Sequence, residues 1–308
     1  MTIPRYISHP DCLLHDAGPL HPDTAERLHA INNQLIMSGL DFVLLHADAP
    51  KASRADLLRV HSPAHVDRIF AAAPAEGYVT LDGDTVMSAG TLAAALRAAG
   101  AGVLGVDLIM AGEAGPVFCG VRPPGHHAER DRGMGFCLFN NIAVAAAHAL
   151  AAHGLSRVAI VDFDVHHGNG TEDIFAGDGK VLVSSIFQHP FYPYSGDSPE
   201  AANIVPVPLA AGTDGAGFRR AVAEICLPAL DAFAPEFIFV SAGFDGHVLD
   251  DMSSLALTEA DYGWITARLV EIARRHSEGR ILSMLEGGYE PGALARSVVS
   301  HLKALMDA

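Results

Sequence analysis

The chain has 308 residues, half of them hydrophobic and only 18% charged, which is too apolar for a disordered polymer and ample for a large buried core. Its 20 Lys and Arg against 36 Asp and Glu leave a net charge of −16. Such a surface repels phosphate backbones and attracts cationic substrates, so nucleic-acid binding drops out as a leading function.

The opening MTIPRYISHP has neither a basic stretch nor an apolar run of leader length, so no secretory leader is expected and the cytoplasm is the expected compartment. The cysteines Cys12, Cys119, Cys137 and Cys226 lie far apart without a CxxC pair, which fits free thiols rather than a disulfide scaffold. Residues 88–110, rich in alanine and leucine, predict a helix. The apolar run 116–119 leads into Gly120-Val-Arg-Pro-Pro-Gly-His-His127. The window 133–156 carries no Asp, Glu, Lys or Arg, yet Asn140, Asn141, His148, His153 and several glycines interrupt it. It reads as a closely packed core helix over 140–153 with asparagine caps, not as a membrane span.

The run 157–161 enters Asp162-Phe-Asp-Val-His-His-Gly-Asn-Gly170, and 180–183 reaches Ser184-Ser185 and an aromatic loop. A helix of mixed amphipathic spacing is predicted over 215–233. The run 236–240 ends in Ser241-Ala-Gly-Phe-Asp-Gly246. Residues 258–276 predict a helix opened by Thr-Glu-Ala-Asp, a capping box with Asp in the place of Glu or Gln. The run 280–285 ends in Glu286-Gly-Gly-Tyr289, and a last helix over 291–306 has proline in its first turn.

Continuous apolar runs of this length mark strands buried on both faces. Alternation with helices predicts an α/β fold: a mostly parallel, multi-stranded sheet with helices on both faces and right-handed crossovers. No repeat and no linker divides the chain, so 1–308 is read as one domain. In such sheets ligands bind beyond the carboxyl ends of the strands. Each polar cluster above directly follows a strand, so the clusters are expected to converge on one rim.

Along a strand Asp162, Asp164 and His166 would share a face, with Phe163 and Val165 on the other. Carboxylates next to Val-Ala-Ile-Val are costly to bury uncompensated, which favours a metal over a solvated edge. Asp245 alone reads as a turn residue; joined to Asp164 and His166 it completes an Asp-His-Asp set. Three protein ligands with an open position suit catalytic zinc, and iron, cobalt or manganese accept the same donors. His126 and His127, adjacent on an extended segment, would point in different directions, although Pro-Pro-Gly restricts the backbone before them. A histidine near metal-activated water could act as general base and acid. Tyr289, after two glycines, is a candidate donor to a developing oxyanion.

Arg-Pro-Pro-Gly-His-His (122–127), Gly-Phe-Cys-Leu-Phe-Asn-Asn (135–141), Asp-Phe-Asp-Val-His-His-Gly-Asn-Gly-Thr (162–171), Ser-Ala-Gly-Phe-Asp (241–245) and Leu-Glu-Gly-Gly-Tyr (285–289) together resemble the zinc-dependent histone deacetylase family. The likeness is closest to its class II branch and to bacterial histone deacetylase-like amidohydrolases, related to acetylpolyamine amidohydrolases, and runs in family order over residues 21–289. The resemblance implies the arginase/deacetylase-like fold, with Asp164, His166 and Asp245 as zinc ligands and His127 as general base and acid. It implies that His126 stabilises charge and that Tyr289 polarises the carbonyl. Asp162 would orient His126 and, with Ser185, help to hold a structural potassium ion. Phe136 and Tyr192 would line an acyl-lysine tunnel, with Tyr in place of the usual Phe. Arg27, in His21-Pro-Asp-Thr-Ala-Glu-Arg27, would stand near an acetate exit.

Two departures matter. Asn169 stands where class I members carry an aspartate behind the second histidine, and this neutral partner should leave His127 less basic. Met252, at the gate position seven residues after Asp245, replaces the glutamate by which the polyamine-selective branch recognises a remote ammonium. The expected function is therefore zinc-dependent amide hydrolysis on an acylated primary amine, foremost an acyl-lysine side chain, in a small molecule or peptide. Acetylpolyamine deacetylation, favoured by the acidic charge, and a silent acyl-amide binding protein are the alternatives; acetoin utilisation on the same fold is not excluded. Arginase-type chemistry is disfavoured because Asp-Phe-Asp-Val-His is not its Asp-Ala-His pattern. No nucleic-acid or membrane partner is expected, and homo-oligomerisation is left open.

Overall fold

Eight strands form one sheet in the order β2-β1-β5-β10-β9-β6-β7-β8, every neighbouring pair parallel. The computed structural model describes residues 3–307. Met1 and Thr2, which open the segment read for a leader, and Ala308, the end of the expected domain, lie outside them. In chain order the elements are β1 (Arg5–Ser8), α1 (Glu26–Ser38), β2 (Leu45–Asp48), α2 (Arg54–Leu57) and α3 (Pro63–Ala72). There follow a separate antiparallel hairpin, β3 (Tyr78–Thr80) and β4 (Val86–Ser88), then α4 (Thr91–Met110), β5 (Val117–Cys119) and α5 (Asn141–Ala152). β6 (Val158–Asp162), α6 (Asn169–Phe175), β7 (Val181–Gln188) and β8 (Ile204–Leu209) come next. The chain ends with α7 (Gly215–Ala221), α8 (Leu227–Phe233), β9 (Phe237–Ala242), α9 (Glu259–His276), β10 (Ile281–Leu285) and α10 (Pro291–Leu305).

Strand alternation shows that helices cover both faces. Val117, Leu282 and Met284 point at α4, where Gly102 and Gly105 receive them. On the other side of the same strands, His301 of α10 bonds Ser283 at 2.9 Å and packs edge-on against Phe118. A Cβ at Gly100 would lie 2.0 Å from the Pro50 carbonyl oxygen, and one at Gly105 2.5 Å from Leu282 Cδ1. Glycine costs a helix about 1 kcal/mol against alanine. Gly105 lets α4 sit hard against the sheet, and Gly100 lets it sit against the 50–52 segment. α4 is long and apolar enough to cross a membrane, but its apolar residues are spent on this packing, with 56% of the apolar window buried.

Two predicted helices differ in detail. The one expected from residue 88 starts at Thr91, because Val86–Ser88 is taken by the hairpin. The one expected over 215–233 passes through a π-turn at Val222–Cys226 between α7 and α8. Pro228 has no N–H for the carbonyl four residues earlier and its ring crowds that carbonyl, so the helix widens there. The four cysteines are free and buried.

Because all eight strands run the same way, the segments after β5, β6, β7, β9 and β10 emerge on one rim.

Candidate active site

The rim is organised by buried charge. After β5, Arg122 is fully buried and reaches Asp23 Oδ1 at 2.6 Å and the Asp23 carbonyl at 2.7 Å. Arg27 shares the same carboxylate oxygen at 2.8 Å and donates to the Gly288 and Glu286 carbonyls, underneath the Glu-Gly-Gly-Tyr loop. Burial would raise Asp23, but Arg122, His15 and Arg27 hold it well below the usual carboxylate range. Asp23→Ala would strand two buried guanidinium groups, a loss of about 3–5 kcal/mol measurable by urea unfolding. Because the folded value is depressed, this stabilisation is present above the unfolded carboxyl value of about 3.9 and fades as pH falls below it.

The His126-His127 pair sits in a turn closed by Ala128 N–H on the Gly125 carbonyl at 3.0 Å, not on an extended segment. The turn therefore brings the rings side by side, centroids 4.0 Å apart, where the sequence predicted divergence. Glu286, fully buried, accepts the Gly125 and His126 N–H groups and the Ser241 hydroxyl. His126 Nδ1 meets Asp162 Oδ2 at 2.9 Å. Burial opposes its charge, but Asp162, Asp164 and Glu286 carry His126 well above the ordinary imidazole value. His127 Nδ1 faces Asn169 Oδ1 at 2.7 Å. Burial, then His126 and His166, push His127 well below that value.

The strand ladder stops at Asp162, so 162, 164 and 166 do not share a face through the pleat of β6. Two carboxylate turns replace it: Asp162 Oδ1 accepts Asp164 N–H at 3.0 Å, and Asp164 Oδ1 accepts His166 N–H at 2.9 Å. Phe163 and Val165 are buried. Asp245 Oδ1 accepts the Val165 N–H at 2.9 Å, which locks the β9 and β6 loops together. Asp164, His166 and Asp245 each offer one ligand atom, all within 4.8 Å of one another. His166 Nδ1 is 3.1 Å from Asp164 Oδ1 and 3.2 Å from Asp245 Oδ2, and the latter oxygen is buried without a hydrogen-bond partner. A Cβ at Gly243 would lie 2.0 Å from Asp164 Oδ2, and one at Gly287 2.0 Å from Asp245 Oδ2, so both glycines are required.

Charge is concentrated in this cluster. Burial and the charge of Asp164 push the Asp245 carboxyl up to about 6. Burial opposes a charge on His166, yet the two carboxylates push its imidazole to about 10. Asp162 stands opposite Ser185 in the β6–β7 register, and Ser185 Oγ accepts the Gly168 N–H at 3.4 Å. A second group, Asp107, His148 and His153, lies near the C-terminal ends of α4 and α5, where both histidines share one carboxylate oxygen.

Above the cluster a cavity of about 260 Å³ is lined by Asp84, His127, Gly135, Phe136, His166, Phe191, Tyr192, Met252 and Tyr289. Phe136, Tyr192 and Met252 are thus all brought to the site. Tyr192 meets His127 edge-on at 5.3 Å, and Phe191 stacks on His166 at 5.4 Å. Gly135 and Phe136 both hold positive φ, 56° and 68°. They are clamped there by Asp84 Oδ1 on Gly135 N–H and Thr85 Oγ1 on Phe136 N–H, both 3.1 Å. Opposite, the Arg27 guanidinium lies 4.8 Å over the Tyr289 ring, and Phe136 meets that ring edge-on at 5.9 Å. Burial raises the Tyr289 phenol well above its ordinary value, so it keeps its proton. Asp250 ties this wall together: it accepts the Tyr289 N–H at 2.6 Å, the Glu290 N–H at 3.1 Å and the Met252 N–H at 3.0 Å.

Sequence reasoning assigned no role to Glu129, Glu286, Asp84, Asp250, Asp23 or Phe191. Glu286 and Asp23 lie inside segments quoted above, Glu129 follows one of them closely, and Phe191 is the neighbour of Tyr192; Asp84, on the hairpin loop, and Asp250 carry no signal in the sequence.

The family model described as the histone deacetylase domain matches residues 21–305. The chain is 38% identical over 299 residues to a protein of Archaeoglobus fulgidus named probable deacetylase, covering 94% of this chain and 82% of that one. It is 38% identical over 303 residues to the histone deacetylase-like amidohydrolase of Pseudomonas aeruginosa, covering 90% and 79%. Its structure matches the crystal structure of the HDA15 HD domain with a TM-score of 0.92 at 34% identity, covering 99% of this chain and 90% of that one.

Proposed function

Since the chain belongs to the histone deacetylase family, whose members include deacetylases and amidohydrolases, we propose that it is a zinc-dependent amidohydrolase removing an acetyl or other short acyl group from a primary amine, foremost an acyl-lysine side chain. The observation that carries this reading is the convergence of Asp164, His166 and Asp245 with His127 and Tyr289 at one narrow, aromatic-walled cavity.

The donor set fits zinc: one imidazole nitrogen and two carboxylates, an unpartnered Asp245 oxygen, and an excess of buried negative charge. Zinc held by Asp164, His166 and Asp245 would supply Lewis acidity, polarising an acyl oxygen and lowering the pKa of water from about 15.7 to about 7. The rest belongs to the chain. Phe136, Phe191 and Tyr192 enclose a slender alkyl chain and exclude bulk water. Asn169 holds the Nδ1 proton of His127, leaving Nε2 to take a proton from water and return it to the departing amine. The low pKa of His127 keeps it neutral at the start. His126, paired with Asp162, places a positive charge beside the reacting carbonyl. Tyr289 donates its hydroxyl to the developing oxyanion. Arg27, beneath the tyrosine, would offer released acetate a positive charge.

The test is kcat/KM of zinc-loaded protein on an acetyl-lysine peptide beside an N-acetylpolyamine, with a chelated control. Peptide turnover lost on chelation is expected; zinc binding without turnover of either substrate favours the silent-binder alternative. The polyamine reading has an observation of its own, because Asp84 lines the cavity and could face an ammonium. Met252 opposes it. Met252→Glu is expected to raise polyamine turnover about 5-fold, one rim ion pair being worth about 1 kcal/mol. A wild-type preference for polyamine would overturn the gate argument.

A structural potassium is part of the same proposal, resting on Asp162 and Ser185 side by side across β6–β7. The thermal midpoint of zinc-loaded protein should rise with potassium chloride over choline chloride at equal ionic strength, as binding to the folded state alone requires. Equal midpoints would remove the ion from the scheme.

A further inference from the structure

Asn169 is not the last group behind His127. While its Oδ1 faces His127 Nδ1, its Nδ2 donates to Glu129 Oε1 at 2.8 Å and to Met134 Sδ at 3.3 Å. Both atoms on that side are acceptors only, so they hold the amide nitrogen there and its oxygen toward the histidine. An asparagine by itself has no such preference, since rotating the amide exchanges an acceptor for a donor at nearly the same positions. With the amide reversed, an N–H would face Nδ1 and drive the imidazole proton onto Nε2, the nitrogen that has to accept one. Glu129 is itself braced, taking the Arg132 guanidinium on the same oxygen at 3.2 Å.

We propose that Glu129 is a positioning residue for the acid–base step: it orients the Asn169 amide and thereby selects the Nδ1–H tautomer of His127. The inference rests on the reading of His127 as the proton-transfer group. It gives the neutral Asn169 a carboxylate one group further out, in partly exposed Glu129, so the fixed tautomer is obtained without a second buried negative charge against the histidine.

The test uses zinc-loaded protein with two readouts, the imidazole nitrogen NMR signals of His127, assigned by their absence in His127→Gln, and kcat with KM on an acetyl-lysine peptide. Glu129→Ala should turn a single Nδ1–H signal set into a mixture and lower kcat roughly 10-fold, part of the ~10²–10⁴ that a positioned acid–base group contributes, with KM changed little. Glu129→Gln can still present an acceptor and should keep both properties. Asn169→Asp should be impaired, because its carboxylate would lie against that of Glu129. Adding Glu129→Gln to Asn169→Asp should restore it. A role in stability alone predicts no such reversal.

Wild-type signals and kcat in Glu129→Ala, or a double variant no better than Asn169→Asp, would overturn the proposal. A wild-type protein without turnover, whose His127 signals still respond to Glu129→Ala, counts against the hydrolase reading and leaves the positioning role standing.

Discussion

Asp245→Asn is expected to lose at least about 10³-fold in turnover together with its catalytic metal, because a Lewis acid contributes several kcal/mol and each 1.36 kcal/mol is tenfold. The substitution keeps size and can keep the Val165 N–H bond, so the fold should survive. It removes a buried carboxylate oxygen, Oδ2, that has no hydrogen-bond partner among the described residues. In metal-free protein the same change should raise the urea midpoint, since Asp245 no longer presses a second charge on Asp164. Metal content per chain, turnover and unfolding of both forms check this. The surface group of Asp107, His148 and His153 serves as the control for counting: His153→Ala is expected to leave turnover at the wild-type level, whatever metal it removes. Full activity in chelated wild type would end the zinc reading.

Tyr289→Phe carries the next largest effect, about 10²–10³ in kcat, the cost of removing one oxyanion donor. Zinc content and KM should stay close to wild type, because the ring remains clamped between Arg27 and Phe136 and the backbone remains on Asp250. The split between kcat and KM is the informative part. A rise in KM with kcat unchanged would make the phenol a ground-state contact rather than an oxyanion donor.

The five apolar runs read from the sequence are β5, β10, β9, β6 and β7, which are consecutive in the sheet and buried on both faces. The strands of this sheet that the sequence does not reveal are β1, β2 and β8, and the hairpin strands β3 and β4 are hidden as well. β2 is the tetrapeptide Leu-His-Ala-Asp on an edge, largely exposed, and β8, the other edge, contains Pro206 and Pro208. An edge strand needs neither a continuous apolar run nor every N–H, so nothing in its composition announces it. The site divides in the same way. Asp164, His166, Asp245, His127 and Tyr289 were legible because each sits in a polar cluster that interrupts a buried run, where its presence is costly without a reason. Asp84, Asp250 and Glu129 stand in ordinary polar loops, and what sets them apart is the neighbour they reach across the fold. The carboxylate turns at Asp162 and Asp164 show the limit from the other side. The three residues do converge, but by local side-chain bonds to the backbone that strand alternation does not describe.

Asp250 grips residue 252 by its main-chain N–H and the Tyr289 loop by two more, and none of the three bonds uses the Met252 or Tyr289 side chain. If residue 252 is the gate of the proposed reaction, that gate is a socket that accepts different side chains without retuning the chemistry beneath it. Any residue but proline can be exchanged there while the tyrosine keeps its footing. On that reading, choice of substrate would drift under selection at this one codon, and the chemistry would not have to be rebuilt each time.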